Sequence, residues 1–439
     1  MRIGVSILAG AGLLGLVGQG GAQSTVPLQG SAALAPQTDF VTLLLATPGV
    51  PSESLGYSVD ISGDSLIAGA PDARDVAIER GPGAAYVFVR GAGGWSQQQR
   101  LLAADGVNRD FFGAAVGIDG DLAVVGAALA PAATNQGAVY VFTRAAGVWT
   151  QVQRIDPPLA GVNEFFGHAL ALEADVLLIG AVGRRTPENP GNAYIYRRSG
   201  GLFALEAELL PAGEATLPGY GTAVALSGSS AVVGSFADSS AGFSNAGAAF
   251  VFLKAGAAWT PQQKLLAPDA AAEDFFGSSV SIEGDRLVVG ATLDDKAAGG
   301  NAGSAHFFQR SGGVWTHRVK LVSSNAVANE DFGQAAVLVG PDLHVGAFCQ
   351  SVVAPPCSAP GAFYSFSDFG QGLVAQPRTV PPGGQPGELF GFALSASPRF
   401  IVTGAYRRDS GDGVDTGAVY VHLPVDQRFR NGFEGAAIP

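Results

Sequence analysis

Side chains that could do chemistry are sparse in this sequence and scattered along it. Histidine, the usual proton carrier near neutral pH, occurs five times, each time in a different local context. There is no Gly-x-Ser-x-Gly elbow, no HExxH pair and no glycine-rich loop of the kind that cradles phosphate. We therefore expect no catalytic residues and a protein that is not an enzyme. The five histidines are His168, His306, His317, His344 and His422.

Three aspartates, Asp409, Asp412 and Asp415, form a loosely spaced metal candidate. Calcium is bound by several carboxylate oxygens at close and regular intervals, which these residues do not provide. A solvated loop explains them better. The expectation is that the protein holds no cofactor, with calcium as the alternative.

Two cysteines, Cys349 and Cys357, lie close together in the sequence. A metal site would need further Cys or His residues nearby, and there are none. In an oxidising compartment the pair is expected to form one local disulfide that braces a loop.

The N-terminus predicts export. Arg2 precedes an apolar run and the small-residue site Gly20-Gly21-Ala22, so residues 1–22 are predicted to be a signal peptide and residues 23–39 a linker. A membrane anchor would need about 20 consecutive apolar residues, and this run is shorter and rich in glycine. We expect a bacterial protein that is secreted, periplasmic or on the cell surface, without membrane insertion.

Composition narrows the class of partner. Hydrophobic residues make up 47% of the chain and charged residues 14%, which is too apolar for a disordered protein. The net charge of −12 argues against nucleic acid, whose phosphates require basic surfaces. A protein or carbohydrate ligand and a monomeric state are the expectations.

A repeat organises the chain and positions these residues. An aromatic residue followed by glycine recurs at nearly even intervals, and the first copy has leucine in place of the aromatic. The seven anchors are Leu55-Gly56, Phe112-Gly113, Phe166-Gly167, Tyr220-Gly221, Phe276-Gly277, Phe332-Gly333 and Phe390-Gly391.

Each copy contains four segments, a to d, with strand character. Segment a alternates apolar residues after the anchor, and segment b is an apolar run that ends at a glycine. Segment c starts at a glycine and runs into aromatics, and segment d starts at Trp95, Trp149, Trp259, Trp315 or an equivalent residue. That aromatic position is predicted to pack in the core.

Spacing separates the framework from the variable part. The interval from the anchor glycine to the segment b glycine, as from Gly277 to Gly290, is identical in every copy. The interval from segment b to segment c varies. It is equally short from Gly126 to Gly137 and from Gly180 to Gly191, and longest from Gly346 to Gly361. Length variation is therefore confined to the b–c loops. Acids before the anchors, namely Asp110, Glu164, Asp274, Asp331 and Glu388, are predicted to accept hydrogen bonds from backbone N–H groups in a loop of fixed length.

The last copy lacks segment d, and a matching segment, Thr42 to Ala46, stands at the N-terminus. The fold class that follows is all-β: a seven-bladed β-propeller of four-stranded blades over residues 40–423. Its ring is closed when the N-terminal strand joins the last blade, which removes exposed sheet edges. Residues 424–439 are a tail outside the ring.

Phe-Gly at the start of segment a and Gly69-Ala70-Pro71 at the end of segment b resemble the FG-GAP repeat. The chain resembles the propeller at the N-terminus of integrin α subunits over most of its length. The resemblance implies cell adhesion or the binding of protein or carbohydrate. It also implies calcium in an Asp-rich a–b loop, but turns such as Glu283-Gly284-Asp285 lack the required carboxylates.

A non-catalytic binding or adhesion module is the resulting interpretation. Two alternatives stay open: a structural envelope or matrix component, and a hydrolase or lectin-type enzyme-associated propeller. Insertions on one face often mark a binding surface, so the ligand is expected at the b–c loops. The aromatics expected to be available there are Phe236, Phe243, Phe348 and Tyr406. The charged candidates are Arg74, Asp75, Arg184, Arg185, Asp294, Asp295, Arg407 and Arg408.

Overall fold

The computed structural model describes residues 41–423, apart from 74–80, 132, 160, 184–190, 212, 215–216, 296–299, 325–327, 350–358, 369–371 and 412. The predicted signal peptide, linker and C-terminal tail lie outside the described residues. Where the chain is described, its regular structure is entirely β, and no helix capable of crossing a bilayer occurs there.

The strands form seven antiparallel sheets of four strands each, which are the blades of a propeller. In chain order they are β1 (Val41–Leu44), β2 (Ser58–Ser62), β3 (Ser65–Ala70), β4 (Ala84–Gly91), β5 (Gly94–Leu101), β6 (Phe112–Asp119), β7 (Leu122–Ala127), β8 (Ala138–Ala145), β9 (Val148–Ile155), β10 (Phe166–Glu173), β11 (Val176–Ala181), β12 (Asn192–Ser199), β13 (Leu202–Glu208), β14 (Tyr220–Ser227), β15 (Ser230–Ser235), β16 (Ala248–Ala255), β17 (Ala258–Leu265), β18 (Phe276–Glu283), β19 (Arg286–Ala291), β20 (Ser304–Ser311), β21 (Val314–Leu321), β22 (Phe332–Val339), β23 (Asp342–Ala347), β24 (Ala362–Asp368), β25 (Leu373–Ala375), β26 (Leu394–Ser397), β27 (Phe400–Ala405) and β28 (Ala418–His422).

Blades 1 to 6 each contain four consecutive strands, from β2–β5 to β22–β25, in the order a-b-c-d. Strands a and b are buried along almost their whole length, whereas the outer strand d alternates between exposed and buried residues. The apolar run of segment b therefore reflects a strand covered on both faces by neighbouring blades. All four strands predicted for each copy are present.

Ring closure follows the predicted arrangement. Strand β1 pairs antiparallel with β28, from Val41 opposite His422 to Leu44 opposite Val419, and completes blade 7. Gly417 of blade 7 then forms a parallel bridge to Leu55 of blade 1. The same bridge joins Gly83 to Phe112 at the next joint, so the closing joint resembles the others.

Close contact between glycines explains the constant interval from the anchor to the end of segment b. In blade 5 the register of β18 against β19 shifts between Phe276 and Ser279, and Gly277 in this bulge has φ 94°. A Cβ placed on Gly290 would lie 2.0 Å from the carbonyl oxygen of Gly333 in the next blade. The equivalent clash, at 1.8 to 2.1 Å, occurs at all seven joints. Glycine is thus required where adjacent blades touch.

The hydrophobic core lies between the blades. One cluster, for example, joins Ile67 and Val87 of blade 1 to Phe112 and Tyr140 of blade 2. The aromatic position at the start of strand d is buried at Trp149, Phe203 and Trp315, and half-buried at Trp95 and Trp259. The prediction of a packing role for this position is confirmed.

Glutamine side chains join the outer strands of some neighbouring blades. The amide of Gln263 donates to the carbonyl oxygen of Trp315 and accepts from its N–H, both at 2.9 Å. Gln99 makes the same pair of bonds to Trp149, and Gln153 to Phe203. The described outer strands of neighbouring blades do not pair through their backbones. These glutamine side chains, which we call amide clamps, join them instead.

Candidate functional site

The b–c loops and the d–a loops share one face of the propeller, and backbone bonds tie them together. In blade 5 the N–H of Leu293, in the b–c loop, donates to the carbonyl oxygen of Asp274, before the anchor, at 3.3 Å. Equivalent bonds join Leu129 to Asp110 and Arg407 to Glu388. Each of these variable loops is therefore anchored at its start, and we call this side the b–c face.

Three of the acids before the anchors, Asp110, Asp274 and Glu388, act as the predicted turn acceptors. For Glu164 this role stays a prediction. The N–H groups three residues earlier donate to Asp110 Oδ2 at 2.8 Å, to Asp274 Oδ2 at 2.6 Å and to Glu388 Oε1 at 2.5 Å. Glu53, which the sequence pattern missed, accepts from Val50 in the same way at 3.0 Å.

Blade 6 requires a correction to this set. The residue equivalent to Asp274 is Glu330, two positions before the anchor Phe332, and not Asp331. Its backbone carbonyl accepts from the N–H of Cys349, and its carboxylate accepts from Tyr364 Oη at 2.6 Å. Two adjacent acids made the position ambiguous in the sequence.

The opposite face, formed by the a–b and c–d turns, has a different pattern. The acid that ends strand a accepts from the N–H of the next blade's turn, as in Ala174 to Asp119 at 2.8 Å and Gly228 to Glu173 at 2.8 Å. Glu283 accepts from Gly340 in the same manner. The turn carboxylates therefore link neighbouring blades. In the described part of the chain, no group of three or more His, Cys, Asp or Glu residues could hold a metal ion.

An open groove of about 430 Å³ lies on this turn face between blades 2 and 3. Within the groove Arg144 Nε donates to Asp121 Oδ1 at 2.6 Å. Arg144 also lies over the ring of Trp149, 4.9 Å from its centroid, and donates to Ser65 Oγ of blade 1 at 3.0 Å. This lining arginine thus links blades 1 and 2.

Half of the charged candidates on the b–c face lie within the described residues. Asp295 and Arg407 are exposed as expected. Asp294 is 5% exposed and Arg408 is bound to Glu388 at 3.2 Å, so these two binding-face candidates are engaged with other side chains of the protein. Both are held by buried partners that the sequence pattern did not reveal. Arg74, Asp75, Arg184 and Arg185 lie outside the described residues.

One hydrogen bond inside the metal candidate recurs in the b–c loop of blade 5. The N–H of Asp415 donates to Asp409 Oδ1 at 2.9 Å, as that of Asn301 does to Asp295 Oδ1 at 2.8 Å. Asp415 has φ 52° and Asn301 φ 54°, so both stand at the same left-handed corner of their loops. This bond gives the carboxylate of Asp409 a structural role, while Asp415 contributes its backbone N–H. Asp412 lies outside the described residues.

Cys349 is buried at the start of the blade 6 b–c loop, with φ 63°. Cys357 lies outside the described residues, so the disulfide stays a prediction.

Aromatic residues expected to be available for a ligand are only partly exposed. Phe236 and Phe348 are buried, which corrects that expectation, because they pack against Phe275 and Phe392 at centroid distances of 5.1 and 5.4 Å. Phe243 is exposed and Tyr406 is half-buried.

Tyr406 belongs to an aromatic cluster where blades 7 and 1 meet. Its ring lies 5.2 Å from Tyr57 and 4.7 Å from Phe392, and Tyr57 also contacts Phe111 at 5.6 Å. Arg407, exposed, lies over the Tyr406 ring at 5.8 Å. We call these five residues the seam cluster. The cluster places aromatic rings beside a cation on the b–c face.

Blade 5 contains a buried polar network on the same face. Ser304 donates to Asp294, and Ser304 Oγ lies 3.2 Å from His306 Nε2. Nδ1 of His306 lies 3.2 Å from Nε2 of His317. Lys320 Nζ lies 2.6 Å from Asp294 Oδ2. Strand pairing thus brings two of the five histidines together.

A nucleophilic role for Ser304 is excluded by its surroundings. Ser304 and His306 are both 0% exposed, so no substrate can reach them. Burial lowers the pKa of His306 to about 3, and its imidazole is neutral under ordinary conditions. The network is therefore a structural one, in a position where most other blades carry tyrosine, as at Tyr364 and Tyr420.

Comparisons with known proteins agree with the repeat. A family profile described as FG-GAP repeat matches residues 39–88, 95–142, 149–196, 203–252, 259–308 and 375–422, more than half of the chain. No curated protein matches. The crystal structure of Saccharomyces cerevisiae Sqt1 is similar with a TM-score of 0.45 and 10% sequence identity, over 88% of this chain and 100% of that chain.

Proposed function

Because the chain belongs to the FG-GAP repeat family, we propose that it is a non-catalytic binding and adhesion module whose ligand contacts the b–c face. One observation carries this proposal: the two faces of the ring are built under different constraints. The turns of one face are linked blade to blade by short hydrogen bonds, while every change of loop length falls on the other. Loops that vary on a rigid scaffold are where binding residues usually lie.

The seam cluster is the part of this face that best suits a ligand. Half-buried aromatic rings of Phe111 and Tyr406 offer apolar contact area, and Arg407 offers a charged donor beside them. Binding sites for carbohydrates and for protein side chains typically combine aromatic rings with a few polar groups around them. The proposed ligand is accordingly a glycan or a protein.

The remaining expectations belong to the same proposal. The protein acts outside the cytoplasm, in the periplasm, on the cell surface or in the medium, and it works as a monomer without a cofactor. The predicted signal peptide of residues 1–22 supports the location, and the burial of Ser304 and His306 supports a non-catalytic role. A purely structural role in the envelope or matrix is the rival function.

Glycan-array binding and affinity capture with extracellular proteins would test the proposal. Arg407→Ala and Tyr406→Ala should each weaken binding of any captured ligand by about tenfold or more, the loss typical of a contact residue. Asp175→Ala, an exposed aspartate on the turn face, is the matched control and should bind normally. Equal binding of a captured ligand by all three variants would overturn the seam cluster as the binding site, and no ligand in either screen would favour the structural role.

A further inference from the structure

The b–c loop of blade 5 is fastened to the propeller by a buried carboxylate, and the d–a loop bonded to it carries a second one. Asp294 begins this loop, is buried, and is held by Ser304 and by Lys320 Nζ at 2.6 Å. Asp274, also 5% exposed, stands beside it in the d–a loop and accepts Leu293 N–H through its backbone oxygen. Two buried acids thus lie where the b–c loop is bonded to the d–a loop.

A single cation pairs with two acids at this point. Lys320 Nζ bonds Asp294 and, at 2.5 Å, the exposed Asp269. Burial opposes the charge on Lys320, but these carboxylates outweigh it and raise the pKa of the ammonium group. The cation is therefore permanently charged and fully engaged. The charges that act on Asp274 are those of Asp269 in its own loop, Asp294 in the b–c loop and Lys320 on β21. His306 on β20 and His317 on β21 interact with Asp269, and Glu273 is bonded to Asn245 of blade 4.

We propose that uptake of one proton by Asp274 locks the blade 5 b–c loop onto the ring, so that the b–c face responds to pH through this blade. A neutral Asp274 keeps its bond to Ala271 N–H and no longer repels Asp294. An ionised Asp274 leaves two buried negative charges side by side and favours release of the loop into water. The regulatory meaning of this lock rests on the proposed function of the face.

Thermodynamic linkage gives the direction in which loop closure changes with pH. Burial, and then the charge of Asp294, raise the pKa of Asp274 to about 7. Once the b–c loop has left, the carboxyl of Asp274 in the d–a loop faces water and no longer the charge of Asp294, so its pKa would fall toward the ordinary value of about 4. The closed loop binds the proton more tightly than the open loop, so closure is favoured at low pH and weakens as the pH rises through about 7.

Blade 4 provides an internal control. Its Asp238 and Lys264 repeat the Asp294–Lys320 pair, with Nζ and Oδ2 3.1 Å apart. The position of Asp274 is Pro218 in blade 4, so no second buried acid stands there. The same loop and the same ion pair should therefore be insensitive to pH in this range.

Hydrogen exchange tests the lock. The full chain without ligand is exchanged at pH 5.5 and 8.0, read by mass spectrometry, and the rates are corrected for intrinsic exchange. Protection of residues 292–295 and 300–303 should fall by about tenfold or more at pH 8.0, while residues 236–246 of blade 4 stay unchanged. Asp274→Asn should abolish the difference. Asp110→Asn removes an equivalent cap that faces Ala130, and should preserve it.

Equal protection of the blade 5 loop at both pH values would overturn the proposal, and so would a pH response that survives in Asp274→Asn. Because no ligand is present, these results are independent of the binding screens. A confirmed lock with no ligand found would count against the proposed function alone.

Discussion

Asp60 and Ser395 are 335 positions apart in the chain, and Ser395 Oγ donates to Asp60 Oδ1 at 2.8 Å. Asp60 lies on the innermost strand of blade 1 and Ser395 on that of blade 7, each four residues after its anchor glycine. Asp60 Oδ2 also accepts from the N–H of Ile118 in blade 2 at 2.8 Å. One buried carboxylate therefore joins three blades across the closing joint of the ring.

Replacing Asp60 by alanine should lower the free energy of unfolding by about 3 kcal/mol. The change leaves buried donors on Ile118 and Ser395 without their acceptor. Urea denaturation would measure the loss. Ser281→Ala is the matched control: Ser281 has the equivalent position in blade 5 and accepts only the N–H of Leu338, so about 1 kcal/mol is expected. Equal losses for both variants would contradict the special role of the closing joint.

Gly290→Ala should destabilise the propeller by about 3 kcal/mol or prevent folding. Its Cβ would lie 2.0 Å from a backbone oxygen of the next blade, where no flexible side chain can move aside. Gly93→Ala, in a c–d turn with nothing within 4 Å, should change stability by less than about 0.5 kcal/mol. Thermal unfolding of the two variants checks this, and comparable melting temperatures would refute the glycine-contact explanation.

Deleting residues 1–46 should open the ring and cause aggregation, because the edge of β28 loses its partner β1. Deleting only residues 1–40 keeps β1 and should give the monomer expected of the intact chain. Size-exclusion chromatography distinguishes the two. A synthetic peptide of residues 41–46, added in excess, should restore part of the monomer by pairing with β28. A stable monomer without residues 41–46 would show that closure does not depend on this strand.

Gln263→Ala should cost about 1 to 2 kcal/mol, since both bonds to the Trp315 backbone disappear at once. Thr316→Ala, on the exposed side of the neighbouring outer strand, serves as the control and should be nearly neutral. Chemical denaturation gives both values. If the two variants lose the same stability, the amide clamp contributes nothing of its own.

The ring was predictable because its constraints repeat along the chain. The interval between Gly277 and Gly290 recurs in all seven copies, and the match of residues 42–46 to segment d indicated which strand closes blade 7. Both are regularities of spacing, which a sequence shows directly.

The polar contacts on the b–c face were not predictable in this way. His306 and His317 meet because the pairing of β20 with β21 shifts by one residue between Phe307 and Phe308. Period counting does not reveal such a bulge. Asp294 was a binding-face candidate because it lies in a b–c loop, but its burial depends on Ser304 and Lys320 from two different strands.

Closure by β1 also decides how the ring would respond to mechanical force. Each joint between blades is crossed by the continuous chain, and the only covalent break lies inside blade 7, between β1 and β28. Val41 and His422, the outer residues of these strands, are paired side by side. Tension applied between the two ends would load the β1–β28 bonds one after another, as in a zipper, and not all together in shear. A propeller that carries load between cell and ligand would therefore resist far better if it were attached through one end alone.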